Sequence, residues 1–225
     1  MQTSTCDIST CFLCQCSSEA WKTAVTINKT TFSFKKGESI FIEGGVVTGI
    51  YFISEGSVKV YKQWGAEKEL ILRFAKKGDV LGHRGLGGKE LYPVSATALE
   101  PTTVCFIDNH FLEASLQTNP TLTYKLMQQY LLELQIAEKR MTNLAHMDVK
   151  GRIAEAILEL KYFFGLTEQG YINVALTRQD ISSFVGTTYE TIFKIFVEWT
   201  NEKIIKTEGK KIAILNQTAL VNFIH

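Results

Sequence analysis

Two groups of side chains in this 225-residue chain have the types and spacing that chemistry requires. The first is a set of thiols. Cys6, Cys11, Cys14 and Cys16 fall within the first sixteen residues, and Cys105 stands alone later. Four thiolates such as Cys11, Cys14, Cys16 and Cys105 suit zinc or an iron–sulfur cluster. A redox sensor is a second use of such a group, and cysteine also serves as a small buried hydrophobe. The odd total argues against a disulfide framework. The second group lies after Thr187. Ile192, Ile195, Phe196 and Trp199 repeat at helical spacing and form a core stripe. That leaves Tyr189, Glu190, Phe193, Lys194 and Val197 on the outer face. Lysine can donate to guanine O6 or N7, and glutamate can accept from cytosine N4. Thr187-Thr188-Tyr189-Glu190 also reads as a capping box, with Glu190 bonding back to the helix start. Both roles stay open for Glu190.

These residues need a scaffold, and the chain supplies three segments. Thr30 to Asp108 reads as short strands punctuated by glycine, with the apolar run Ile50-Tyr51-Phe52-Ile53 and the alternating Ser57 to Lys62. Asn119 to His146 contains no glycine, and its one proline, Pro120, sits where a first helical turn tolerates it. Met127, Tyr130, Leu134, Ala137, Met141 and Leu144 follow each other by 3, 4, 3, 4 and 3, which is a heptad seam. A long helix packed on its own barrel fits this pattern, and so does a parallel dimer, which the regular period favours. Asp148 is expected to cap a helix from Val149 to Phe164, ended by Gly165. Tyr171 to Val174 looks like a strand. A helix begins near Thr177, breaks at Gly186, and is followed at once by a second helix to about Glu202. Ile204 to Leu215 reads as a hairpin around Glu208-Gly209-Lys210-Lys211. The order helix, glycine turn, helix, hairpin is that of a winged helix-turn-helix.

Composition excludes several classes. Hydrophobic residues make up 45% and charged residues 21%, so the chain is neither disordered nor fibrous as a whole. No stretch approaches the length of a membrane span, and the first residues lack a leader pattern, so a cytoplasmic protein without membrane contact is expected. The net charge of +1 shows no bulk preference for nucleic acid. From Asp148 to His225 the nine basic and nine acidic side chains cancel, so any basic face depends on placement. A metal enzyme on a jelly-roll barrel would need several histidines. There are four in all, and only His83 falls in the barrel core, so no enzyme is expected.

The segment order resembles the CRP/FNR family of bacterial transcription regulators over about Thr30 to Leu215. Ile50 to Val58 and Lys77-Gly78-Asp79-Val80-Leu81-Gly82 resemble its barrel signatures. Asp148 to Ala154 is similar to its hinge, and Leu176 to Ile195 to its helix-turn-helix. The resemblance implies an α+β chain. An N-terminal β jelly-roll sensor barrel (1–118) precedes a long dimerisation helix (119–147) and a C-terminal winged helix-turn-helix DNA-binding domain (148–225). The partners implied are promoter DNA, a second copy of the chain and RNA polymerase. By family position Tyr189, Glu190 and Lys194 face the bases. Thr177, Arg178 and Thr188 contact phosphates, Gln179 belongs to the same DNA-binding set, and Lys210 and Lys211 lie at the wing tip. Tyr189 and Lys194 stand where arginine is usual, so the common guanine-containing half-site is not implied.

Gly82, His83, Arg84, Val94 and Ser95 fall at the family's effector pocket. His83 replaces the glutamate that holds the ribose, and Val94 replaces the arginine that holds the cyclic phosphate. Cyclic AMP is therefore not the expected effector. The oxygen-sensing members carry an iron–sulfur cluster on N-terminal cysteines plus one in the barrel, where Cys105 falls. The spacing of Cys11, Cys14 and Cys16 departs from theirs unless Cys6, Cys11 and Cys14 are used. Three functions remain: a regulator with another effector, a redox regulator with a cluster or zinc, and a ligand-binding module without DNA recognition.

Overall fold

The computed structural model describes residues 11–65, 68–86 and 90–224. Two compact units divide it, Met1–Gln135 and Ile136–His225. Their boundary falls inside the long helix, so each is described by itself. Cys6 lies outside the described residues.

The first unit opens with two helices, α1 (Phe12–Cys16) and α2 (Glu19–Asn28). Eight strands follow: β1 (Thr30–Phe34), β2 (Ser39–Phe41), β3 (Gly49–Glu55), β4 (Ser57–Trp64), β5 (Lys68–Lys76), β6 (Val80–Leu81), β7 (Ser95–Ala98) and β8 (Thr102–Asp108). They form two four-stranded antiparallel sheets, ordered β1-β8-β3-β6 and β2-β7-β4-β5. The apolar run in β3 has a physical reason, since both of its faces are buried. Tyr51 and Ile53 point into the barrel with Val60, Ala75, Leu81, Val94 and Ala96. Ile50 and Phe52 point the other way, into a second core with Leu13, Val25, Cys105, Ile107, Phe111 and Leu112. Helix α3 (Asn109–Thr118) covers that second core, capped by the Asp108 carboxylate, which accepts from the Phe111 amide at 2.8 Å.

Helix α4 (Pro120–His146) is the long helix the heptad pattern predicts. It carries two rows. Leu122 and Leu126 are buried in the second core, and Glu133 is buried one row further along. The seam residues Met127, Tyr130, Leu134, Met141 and Leu144 are all exposed in the single chain, as are Leu131, Leu132 and Ile136. The helix therefore packs on its barrel through one face and leaves most of its heptad row exposed in the single chain, with Tyr130 at the border between the two.

In the second unit, α5 (Val149–Phe164) starts at Asp148, whose carboxylate accepts from the Gly151 amide at 2.7 Å, and ends at Gly165. Helices α6 (Arg178–Val185) and α7 (Tyr189–Asn201) are joined through Gly186, whose left-handed φ of 73° suits glycine. Strands β9 (Ile205–Glu208) and β10 (Lys211–Ile214) make the hairpin, and α8 (Gln217–Asn222) follows. The strand expected at Tyr171 to Val174 does not form. Tyr171 and Ile172 make only single bridges, to Ala213 and Leu166.

Candidate nucleic-acid interface and the barrel charge cluster

The helix-turn-helix is built by local chemistry. Thr177 is the N-cap of α6 and forms a true capping box with Asp180: Thr177 Oγ1 accepts from the Asp180 amide at 3.0 Å, and Asp180 Oδ2 accepts from the Thr177 amide at 2.9 Å. The hydroxyl also donates to Asp180 Oδ2 at 2.6 Å. Arg178 lays its guanidinium 4.5 Å over the Phe196 ring, which links α6 to α7, and its Nη1 is buried without a hydrogen-bond partner. Gln179 is exposed beside it.

Ile192, Ile195, Phe196 and Trp199 bury one stripe of α7, as their spacing predicts. Trp199 stacks on Phe223 at 5.1 Å, and Lys150 ties α5 to α7 through Glu198 at 2.5 Å. The N-cap is Thr188, which accepts from the Thr191 amide at 3.2 Å. This corrects the capping-box reading of Glu190. With Thr188 as cap, the third helical residue is Thr191, and Glu190 sits one place early to reach back. The Glu190 carboxylate instead stays exposed, alongside exposed Tyr189 and Lys194. Tyr189 and Phe193 stack with ring centroids 6.4 Å apart, and Val197 extends the same row. Lys210 follows Gly209 at the hairpin turn. Lys211 lies 5.7 Å over the Tyr171 ring, whose hydroxyl donates to Glu208 at 2.9 Å.

In the barrel, β5 and the 3-10 turn His83–Gly85 present Arg73, His83 and Arg84 to α4. They converge on one carboxylate, Glu133, that the sequence reading missed. Arg84 grips it with Nη2 at 2.7 Å and Nε at 2.8 Å. Arg73 Nε and His83 Nε2 each lie 3.2 Å from its other oxygen, and Gln129 donates to the same oxygen at 3.2 Å. Tyr130 donates to the His83 carbonyl and sets its ring edge-on to the imidazole at 5.1 Å. Burial pushes the Glu133 carboxyl up. The hydrogen bond to His83 and the charges of Arg73, His83 and Arg84 outweigh that and hold it well below the carboxylate range. Burial pushes His83 down against the pull of Glu133, so its imidazole is neutral at pH 7. Gly82 holds the turn at a φ of 82°, a left-handed conformation that favours glycine.

The remaining effector positions are filled. Val94 is buried in the barrel core beside Tyr92, and Tyr92 stacks on Phe41 at 4.3 Å while donating to the Gly49 carbonyl at 2.8 Å. Ser95 Oγ accepts from the Glu43 amide at 2.9 Å. The four described thiols share one core. Cys11, Cys14, Cys16 and Cys105 are all buried with Leu13, Phe52 and Ile107. Among the described residues no three His, Cys, Asp or Glu side chains are placed to hold a metal ion. Burial also pushes the Cys16 thiol up, although Lys125 pulls the other way. Any set that includes Cys6 extends outside the described residues.

A strand-built barrel, a long helix and a winged helix-turn-helix now meet matching families. Residues 31–119 match the model of the cyclic nucleotide-binding domain, and residues 151–223 match that of the Crp-like helix-turn-helix domain. The chain is 30% identical to the transcriptional activator protein Anr of Pseudomonas aeruginosa over 189 residues, spanning 83% of this chain and 77% of that one. The chain belongs to the CRP/FNR family. It is 31% identical to the cAMP-activated global transcriptional regulator CRP of Salmonella typhimurium over 177 residues, spanning 76% of this chain and 83% of the relative. The solved structure of FixK2 from Bradyrhizobium japonicum superposes with a TM-score of 0.77 at 26% identity, covering 88% of this chain and 98% of that one. The protein is a DNA-binding transcriptional regulator of the CRP/FNR type, a family of regulators and not of enzymes. Among the described residues no helix is long and apolar enough to cross a membrane.

Proposed function

We propose that this CRP/FNR regulator works as a homodimer joined along α4, reads a palindromic promoter site with its two α7 helices, and responds to an effector other than a cyclic nucleotide. The observation that carries the reading is the bare heptad row of α4. Leu134 is 54% exposed and Met141 61% exposed in the single chain. A contiguous apolar row of this kind belongs against a partner, and its 3.5-residue period suits an identical helix. A two-fold pair then presents α7 to half-sites about one helical turn apart. Thr177, Arg178, Gln179, Thr188, Lys210 and Lys211 supply phosphate contacts in this reading. Glu190 and Lys194 supply base contacts, supported by their exposure at the start of α7. RNA polymerase is the further partner such a regulator implies.

Against a cyclic nucleotide stand three features of the barrel. An apolar, buried Val94 lies where an anion-binding side chain would be needed, Ser95 is engaged, and His83 and Arg84 already hold the carboxylate of Glu133. No step of the proposal runs through a metal or cluster. Sedimentation of the purified chain and a binding selection from random DNA test it together. The expected result is a dimer at micromolar concentration and a palindromic site. A monomer, or a selection without symmetry, overturns it.

A further inference from the structure

The outer face of α7 is unusual for a helix that reads DNA, because its most prominent row is apolar. Tyr189, Phe193 and Val197 recur at every fourth residue and are 46%, 55% and 47% exposed. The first two rings stack on each other at an interplanar angle of 17°. Beside them lies an open hollow of about 260 Å³ lined by Arg178, Phe193, Phe196, Val197 and Thr207. Leaving such a row in water costs free energy that a partner must recover. Position and charge say which partner. The row begins at the first residue of α7, the end of a recognition helix that meets base edges. Lys194 and the half-buried Arg178 flank it, two cations of the kind that contact a phosphate backbone. The nearest acid further along, Glu198, is neutralised by Lys150.

A major groove offers one principal apolar group, the C5-methyl of thymine; neither guanine nor cytosine carries it. We infer that Tyr189 and Phe193 read thymine methyl groups, so that the half-site is specified by thymines two steps apart where an arginine reader would demand guanine. The inference rests on the reading of α7 as the groove-entering helix and adds the base class it selects. Four residues of helix advance about 6 Å, close to two base-pair steps, so the two rings can cover methyls on pairs two steps apart. Lys194 and Glu190, on the adjacent rows, then read the flanking pairs.

The test separates the methyl from everything else in the base. A palindrome is first selected from random DNA with the full-length protein. Synthetic duplexes then replace each thymine singly by uracil, which keeps O4 and loses only the methyl. Loss of one covered methyl should weaken binding about fourfold, equivalent to ~0.8 kcal/mol for one buried carbon group. The loss should be confined to the thymines beneath α7. Phe193 is exposed, so Phe193→Ala leaves the fold intact; it should bind the thymine site more weakly and no longer distinguish thymine from uracil at one position. Equal affinity for thymine and uracil throughout overturns the inference while leaving operator binding in place. So does a uracil penalty that persists unchanged in Phe193→Ala, because DNA shape then explains it. A selection that returns no preferred sequence overturns the groove reading itself, and the row would then face a protein.

Discussion

The carboxylate of Glu133 sits in the fork of Arg84, with Nη2 at 2.7 Å and Nε at 2.8 Å. This single relationship ties the middle of α4 to the barrel turn that follows β6. Both nitrogens meet the same oxygen, Oε2, and hydrogen bonds between ionised groups are among the stronger polar interactions. Here the contact is also dry, since the Glu133 side chain is only 7% exposed. Arg73 and His83 complete the cage, so Arg73 on the strand and Arg84 on the turn compensate the charge together, with the imidazole packed at the same oxygen as Arg73.

Removing one partner from such a cluster leaves buried charge behind. Glu133→Ala should therefore destabilise the protein by about 3 kcal/mol, the scale seen when one side of a buried pair is lost. Glu133→Gln keeps an acceptor for Arg84 and should lose less. Urea unfolding of both variants measures this. A wild-type midpoint for Glu133→Ala would show that the cage contributes nothing to the fold.

The same cage predicts a pH dependence. His83 is held below its ordinary range by burial, so the unfolded chain takes up its proton first as pH falls. Stability from neutral His83 is thus complete above about pH 6.5 and declines below it. Glu133 is held below the carboxylate range, so its contribution is complete above about pH 4.3 and declines under that value. Both slopes have the same sign, and the protein should lose stability in two stages on acidification. His83→Gln should flatten the stage between pH 5 and 7 and leave the more acidic one. Thermal melts across pH 2 to 8 provide the readout.

Dimerisation is tested at Leu134. Its side chain is exposed in the single chain, so Leu134→Glu should leave the protomer folded. In a paired helix it would bury an uncompensated carboxylate on each side of the seam, at a cost of several kcal/mol. Sedimentation should give monomers for the variant and dimers for the wild type. A variant that stays dimeric places the interface elsewhere.

How much of this was legible follows from where the information resides. Local chemistry was readable: Asp148 and Gly165 bound α5 as expected, and Gly186 ends α6. Periodicity also marked the bare row of α4. The inward row was not readable. Leu122 and Leu126 fit a helix face, but Glu133 in the next buried position reads as solvent-facing until Arg73, His83 and Arg84 are brought to it from far along the chain. The choice between Thr187 and Thr188 as cap was equally hidden. Both have the right side chain, and the turn at Gly186 decides between them, which moved Glu190 from a capping role to an exposed one. The four cysteines gathered as a cluster would, yet into a core whose packing is apolar.

The last prediction separates two lysines of the second unit. Lys194 is exposed in the second turn of α7, while Lys210 sits beside the hairpin glycine. A base contact and a phosphate contact leave different signatures. Lys194→Ala should cost about 1–3 kcal/mol on the selected site and relax discrimination at one position, because the lost donor distinguished one base from another. Lys210→Ala should weaken every sequence about equally and lower the slope of log K against log salt by roughly 0.9, the release of one counterion. Binding isotherms on the selected site and on a scrambled duplex, each at several salt concentrations, distinguish the two. If Lys194→Ala weakened both duplexes equally, the lysine would be a phosphate anchor, and base reading on α7 would rest on Glu190 and the aromatic row.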